Sequence, residues 1–185
     1  MLILASASPR RRDLLARIGV VPDRIIAPAI DETPLRAEAP RLLALRLAHA
    51  KAETCPDGLV LAADTVVAAG QRVLPKAETE AQARACLALL SGRRHRVITA
   101  VVLARPDGKR TERVVTSIVT FARLTGAQID AYAASGEWLG KAGGYAIQGR
   151  AEGFVRFLSG SYSNVVGLPL FETAQLLRGA GYPVP

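Results

Sequence analysis

An apolar run, Leu2-Ile3-Leu4-Ala5, leads straight into Ser6-Ala7-Ser8-Pro9 and then three consecutive arginines, Arg10, Arg11 and Arg12. Strand, tight serine turn and cationic helix start, in that order, belong to α/β proteins that hold anionic ligands at helix N-termini. Ser8 is placed to cap the helix, Pro9 suits its first position, and Leu14, Leu15 and Ile18 make its apolar stripe. The unpaired N–H groups of a helix N-terminus already carry partial positive charge, so arginines in the first turn add repulsion. A bound phosphate would reverse the sign of that interaction. The alternative is that the long arginine side chains splay into water and decorate an exposed end.

A chain of 185 residues, half of them hydrophobic and 22% charged, has the balance of a folded protein and not that of a disordered one. One domain spanning residues 1–185 is expected, and the length also suits two lobes around a central cleft. The net charge of +8 favours acidic partners. The basic residues are scattered, apart from Arg10 to Arg12 and Arg93-Arg94-His95-Arg96. Neither group is interleaved with the aromatics that a single-strand platform needs, which argues against nucleic acid. Cys55 and Cys86 stand in no motif spacing and fall in segments with helical patterning, as reduced core thiols do. Met1 and Leu2 enter the first strand without a basic leader, and no apolar run is long enough for a bilayer, so the expected location is cytoplasmic, with no membrane partner.

Patterning predicts a short strand over Arg24–Ile30 that delivers Asp31-Glu32-Thr33, then an amphipathic helix over Pro40–Thr54. Gly58–Ala69 has the continuous apolar character of a strand buried on both faces, interrupted by Asp64-Thr65. Gly70-Gln71 turns into Val73-Leu74, and a helix follows over Thr79–Leu90, closed by Gly92. Val97–Leu103 and Val114–Ala122 read as a hairpin through Pro106-Asp107-Gly108. A helix over Gly126–Ala134, a glycine-rich loop with a mobile section over Ser135–Gly149, a strand over Gly153–Leu158, a polar loop over Gly160–Gly167 and a helix over Leu168–Arg178 complete the chain.

Polar groups recur at the ends of these elements: Ser6, Ser8 and Arg10, then Glu32, Lys51, Asp64-Thr65 and Lys76. Strand ends converge on one crevice in open α/β sheets, so residues distant in sequence can meet there. Glu32 and Lys51, each taken alone, fit ordinary surface charges. Asp64 follows five apolar residues, where a carboxylate is costly unless it joins a structural ion pair or a functional site. The stretch Gly136–Ala142 fails as a P-loop, because it has one residue too few between its glycines and Ala142 replaces the magnesium-binding hydroxyl. His49 and His95 lack metal-ligand spacing with either cysteine and fit surface or capping roles. No Gly-x-Ser-x-Gly elbow marks a serine hydrolase.

Several segments together resemble the Maf family of nucleotide pyrophosphatases over almost the whole chain. They are the Leu2 to Arg11 start with Leu14-Leu15, Asp31-Glu32, Ala48 to Ala52 around Lys51, and Ala63-Asp64-Thr65-Val66-Val67. Leu89 to Ala100, Lys141-Ala142-Gly143-Gly144-Tyr145-Ala146-Ile147-Gln148-Gly149, and Gly160-Ser161-Tyr162 with Val166-Gly167-Leu168-Pro169 complete the match. The resemblance implies a Maf/Ham1, ITPase-like α/β fold: a mixed twisted sheet flanked by helices, in two lobes around a cleft. It also implies cleavage of a nucleoside triphosphate between the α and β phosphates, a divalent cation (magnesium or manganese), a homodimer, and a link to septum formation or arrest of division. By the same analogy Asp64 is the proton acceptor, and Arg10, Thr65 and Gln148 fall where the family sets base preference. That combination is similar to the subgroup acting on dTTP and UTP. Many relatives carry an acidic residue where this chain has Gly140, which leaves the metal's ligands unassigned.

The residue chemistry is consistent with that expectation. Phosphoanhydride cleavage asks for in-line positioning and for cations facing the developing negative charge, and Ser8, Arg10, Arg11, Lys51 and Lys76 could supply both. Glu32 beside Asp64 could bind a metal or share base duty. A glutamine amide such as that of Gln148 offers both a donor and an acceptor to the imide edge of uracil or thymine. The alternatives are a 7-methyl-GTP or purine preference, or a basic nucleic-acid-binding regulator with a vestigial pocket.

Overall fold

The computed structural model describes residues 1–55 and 57–185. In chain order the elements are β1 (Leu2–Ala5), α1 (Pro9–Arg17), β2 (Arg24–Ile26), α2 (Pro40–Glu53), β3 (Leu59–Ala69), β4 (Arg72–Leu74), β5 (Lys76–Ala77) and α3 (Glu80–Leu90). There follow β6 (Arg94–Ala104), β7 (Arg110–Phe121), α4 (Gly126–Ala134), β8 (Lys141–Ala142), a 3-10 turn (Arg150–Phe154), β9 (Val155–Ser159), α5 (Tyr162–Val166) and α6 (Leu170–Gly179). The main sheet is mixed and runs β2-β1-β3-β6-β7-β9, with β4 added to β3. β5 and β8 make a separate small antiparallel sheet. Among the described residues no helix is long and apolar enough to cross a membrane.

β3 organises the molecule because both of its faces are buried. Side chains alternate along a strand, so Val60, Ala62 and Val66 join Ile98, Ala100 and Val102 of β6 against Leu43, Leu47 and Ala48 of α2. On the opposite face Leu61, Ala63 and Val67 meet Leu14 and Leu15 of α1, Leu87 and Leu90 of α3, and Leu176 and Leu177 of α6. Each fully buried leucine, Leu61 and Leu87 among them, contributes about 1.5–3 kcal/mol. Asp64 shares the α2 side with Val66, and Thr65 shares the α1 side with Val67.

The edge pairing of β3 decides where the sheet opens. β6 takes one edge continuously over residues 60–68. On the other edge β1 pairs with residues 59–62 and β4 with residues 67–69, which leaves 63–66 between them. β1 quits the ladder at Ala5, opposite Ala62, and turns into α1. Asp64 and Thr65 therefore stand in a window of the sheet, beside the first helix.

Several elements differ from their predicted extent. The strand expected over Arg24–Ile30 stops at Ile26, since it is an edge strand whose partner β1 is only four residues long. The polar loop over Gly160–Gly167 contains α5, capped by the Ser161 hydroxyl on the Asn164 amide; a single turn and a half is too short to show periodicity. Cys55 lies just past the end of α2 and not within it, although both cysteines are buried and free. His95 is buried, not at the surface: it packs edge-on to Phe121 and Tyr145 and its Nε2 is 2.8 Å from the Tyr145 hydroxyl. Burial holds its pKa down, near about 4, outweighing the bond to the Arg93 backbone.

The glycine-rich segment is pinned, in contrast to the mobile loop expected. Its centre forms β8 against β5, and Gly143 and Gly144 adopt positive φ where any β-carbon would press on Val67 and Ala83. The Tyr132 hydroxyl accepts from the buried Ala146 amide at 2.9 Å. Tyr132→Phe leaves that amide without an acceptor and is expected to cost about 1–3 kcal/mol, read as a lower urea midpoint. An unchanged midpoint would show that this bond does not hold the segment.

Candidate active site

A cleft of about 480 Å³ opens at the window in the sheet. Ser6 to Arg11 form one wall and Leu139 to Gln148, with β8, form another, as the two-lobed expectation requires. The N-terminus of α1 lines this space. Ser8 has the extended backbone of an N-cap but makes no side-chain capping bond, contrary to the sequence expectation. Its amide instead donates to Ser6 Oγ at 3.3 Å.

The three arginines take three different fates. Arg12 is exposed beside Asp13, where its charge is solvated. Arg10 is half-buried in the cleft wall, and burial followed by repulsion from Arg11 lowers its pKa. Arg11 is buried, and burial lowers its pKa while Asp64 and Glu32 pull the other way. Its guanidinium spends three donors on the protein, with Nε on Gly167 O at 2.8 Å, Nη1 on Ser6 Oγ at 2.9 Å and Nη2 on Thr65 Oγ1 at 3.2 Å. Arg11 thus ties the serine turn, β3 and the end of α5 together.

On the α2 side of β3 the charges alternate. Lys51, buried on the last turn of α2, lies 2.6 Å from Asp64 Oδ1 and 2.6 Å from Glu32 Oε1. Glu32 also pairs with Lys76 of β5. Burial pushes the Glu32 carboxyl upward, but the hydrogen bonds and charges of Lys51 and Lys76 outweigh it and hold it down from 4.5 to about 2. Neither Glu32 nor Lys51 is the solvated surface charge that each resembles in isolation. Asp64 is 2% exposed and borders the cleft, yet among the described residues only Oδ1 has a hydrogen-bond partner, Lys51, and Oδ2 has none.

Thr65 and Gln148 complete the wall, Thr65 half-buried and Gln148 exposed. All ten residues singled out from the sequence therefore border one cavity. Lys141 also borders it and was missed, although it stands in the Lys141-Ala142-Gly143 segment; its position follows from the pairing of Ala77 with Lys141, which periodicity does not reveal. Burial and then the charge of Arg10 lower the Lys141 pKa. Five cationic side chains thus meet two carboxylates, an excess that attracts a polyanion. Among the described residues no three His, Cys, Asp or Glu side chains form a ready metal cage. Glu32 and Asp64 with a free Oδ2 do fit a magnesium-type ion that takes one or two carboxylates and completes its shell with phosphate and water.

A family model described as Maf-like protein matches residues 1–180. The sequence is 63% identical over 199 residues to the dTTP/UTP pyrophosphatase of Granulibacter bethesdensis, covering 98% of this chain and 93% of that protein. It is 60% identical over 185 residues to the dTTP/UTP pyrophosphatase of Caulobacter vibrioides, covering 98% and 96%. Among solved structures, the Ham1 protein of Staphylococcus aureus is similar with a TM-score of 0.46 and 17% identity, over 65% of this chain and 71% of that one.

Glu32 titrates below its ordinary value in the fold, so its contribution to stability is complete above about pH 4.5 and is lost as the pH falls toward 2. Glu32→Gln should flatten that limb of the acid-unfolding profile, followed by circular dichroism. An identical limb would show that the lysine contacts do not stabilise the fold.

Proposed function

Because the chain belongs to the Maf-like protein family, we propose that its cleft hydrolyses dTTP and UTP to the nucleoside monophosphate and pyrophosphate, as housekeeping of the cytoplasmic nucleotide pool. The observation that carries this reading is a carboxylate with one unengaged oxygen, Asp64 Oδ2, set among five cations. A triphosphate lies along the wall of Arg10, Lys76 and Lys141 and the N-terminus of α1, which together offset its charge. Lys51 holds Asp64 through Oδ1, so the carboxylate is oriented and Oδ2 is left to take a proton from water. The water oxygen bonds to the α phosphorus, the bond from that phosphorus to the α,β-bridging oxygen breaks, and the electron pair leaves with pyrophosphate. The cations facing the leaving group stabilise its growing charge.

A divalent ion carried in with the triphosphate would be held by Glu32, Asp64 and phosphate oxygens, and when bound it supplies charge neutralisation and polarises water. Arg10, Thr65 and Gln148 read the base. The Gln148 amide matches the imide edge of uracil or thymine, which presents acceptor, donor and acceptor in a row. Ser6 and Ser8 serve the anion through the turn that begins α1.

Incubation with a panel of nucleoside triphosphates plus magnesium or manganese, with the products identified, tests the reaction. Pyrophosphate with dTMP or UMP is expected; orthophosphate with the diphosphate, or preferential turnover of 7-methyl-GTP, would contradict it. Asp64→Asn should lower turnover by roughly 10²–10⁴-fold while the protein still unfolds cooperatively, because Glu32 continues to pair with Lys51. Near-normal turnover would remove Asp64 from the mechanism. Gln148→Glu should change the ratio of rates on different bases more than it changes stability, and unchanged ratios would count against a reading role.

A further inference from the structure

Behind Thr65 lies a buried polar chain that neither catalysis nor phosphate binding uses. Thr65 Oγ1 is 3.0 Å from Thr99 Oγ1, and Thr99 is fully buried on β6 directly opposite Thr65. The Thr99 hydroxyl lies 3.1 Å from the carbonyl oxygen of Asn164, a group that can only accept. That carbonyl sits in the last turn of α5, where the Leu168 amide that would otherwise reach it bonds Ser163 O instead. Asn164 is itself locked, its Nδ2 donating to Val97 O at 3.0 Å and to Ser117 Oγ at 2.9 Å.

A hydroxyl has one proton and two lone pairs. Thr99 spends its proton on Asn164 O, so in the contact between the two threonines it accepts and Thr65 donates. Among the described residues the one other acceptor bonded by Thr65, Gly167 O at 3.4 Å, also lies on the protein side. One Thr65 lone pair receives Arg11 Nη2. What Thr65 can offer a ligand in the cleft is therefore its remaining lone pair, an acceptor and not a donor.

We propose that Thr99 is a specificity-determining positioning residue: by taking the Thr65 proton it fixes Thr65 as an acceptor, which matches the N3–H of uracil or thymine and repels the N3 lone pair of cytosine. This rests on the proposed reaction and on the base lying against Thr65. Without the Thr99 hydroxyl, only the longer 3.4 Å contact to Gly167 O holds the Thr65 proton on the protein side, so the proton can rotate toward the cleft and donate to cytosine.

The test is kcat/KM on UTP, dTTP, CTP and dCTP for the wild type, Thr99→Val and Thr99→Ser. In Thr99→Val the UTP:CTP and dTTP:dCTP ratios should each fall roughly tenfold, while Thr99→Ser retains them. An equal loss on all four nucleotides makes Thr99 a structural strut and overturns the proposal. So does a change confined to the UTP:dTTP ratio, which would put a sugar hydroxyl against Thr65. A measurement that needs no variant uses 3-methyluridine triphosphate, which lacks the N3–H: the wild type should cleave it at least tenfold less well than UTP, and equal cleavage overturns the proposal. No pyrophosphate from UTP or dTTP would defeat the proposed reaction and this inference together, whereas an active wild type with unmoved ratios defeats the inference alone.

Discussion

Lys51 is the contact on which the cleft depends. An ammonium buried this deeply is tolerated only with anionic partners at hydrogen-bonding distance, and it has one on each side, Asp64 and Glu32. The arrangement binds three separate pieces of chain: the last turn of α2, the middle of β3 and the segment after β2. Lys76 extends it to the small sheet. Desolvation of such a cluster is expensive, so its presence in the wall of a cavity is better explained by what the cavity does than by a gain in stability. The same ion pair that makes Asp64 tolerable in the core also aims it.

The window in the sheet supplies the other half of the design. Had β1 continued beyond Ala5, or had β4 begun earlier, backbone pairing would have covered the edge of β3 beside Asp64. The Ser6-Ala7-Ser8 turn ends β1 at that point and starts α1 there, so the interruption that opens the cleft also brings a helix N-terminus to it. Arg11 then secures the opening by bonding across to Thr65 and Gly167. Fold and site share one cause, the early end of the first strand.

Most of this was legible in the sequence because the strongest signals are local. The apolar run into Ser6-Ala7-Ser8-Pro9, the carboxylate inside Leu59 to Val67, and the helix over Thr79–Leu90 closed by Gly92 are all short-range patterns. What escaped was set by contacts between distant segments. Ser8 stands at the N-cap of α1 with extended backbone as expected, but its hydroxyl makes no capping bond. His95 looks like part of a basic surface run, yet strand alternation turns it inward to Tyr145 while Arg94 and Arg96 stay on the other face. Thr99 and Asn164 carry no motif signal, because two hydroxyls 34 residues apart become a pair only once β3 and β6 align.

Asp64 and Thr65 are consecutive, and so face opposite layers of the molecule while bordering the same opening. A slip of β3 by a single position would turn the carboxylate to the α1 layer and the hydroxyl to the α2 layer, so both would leave their present partners at once. The proposed proton transfer and base discrimination are thereby yoked to one strand alignment, and a register shift cannot disturb one and spare the other.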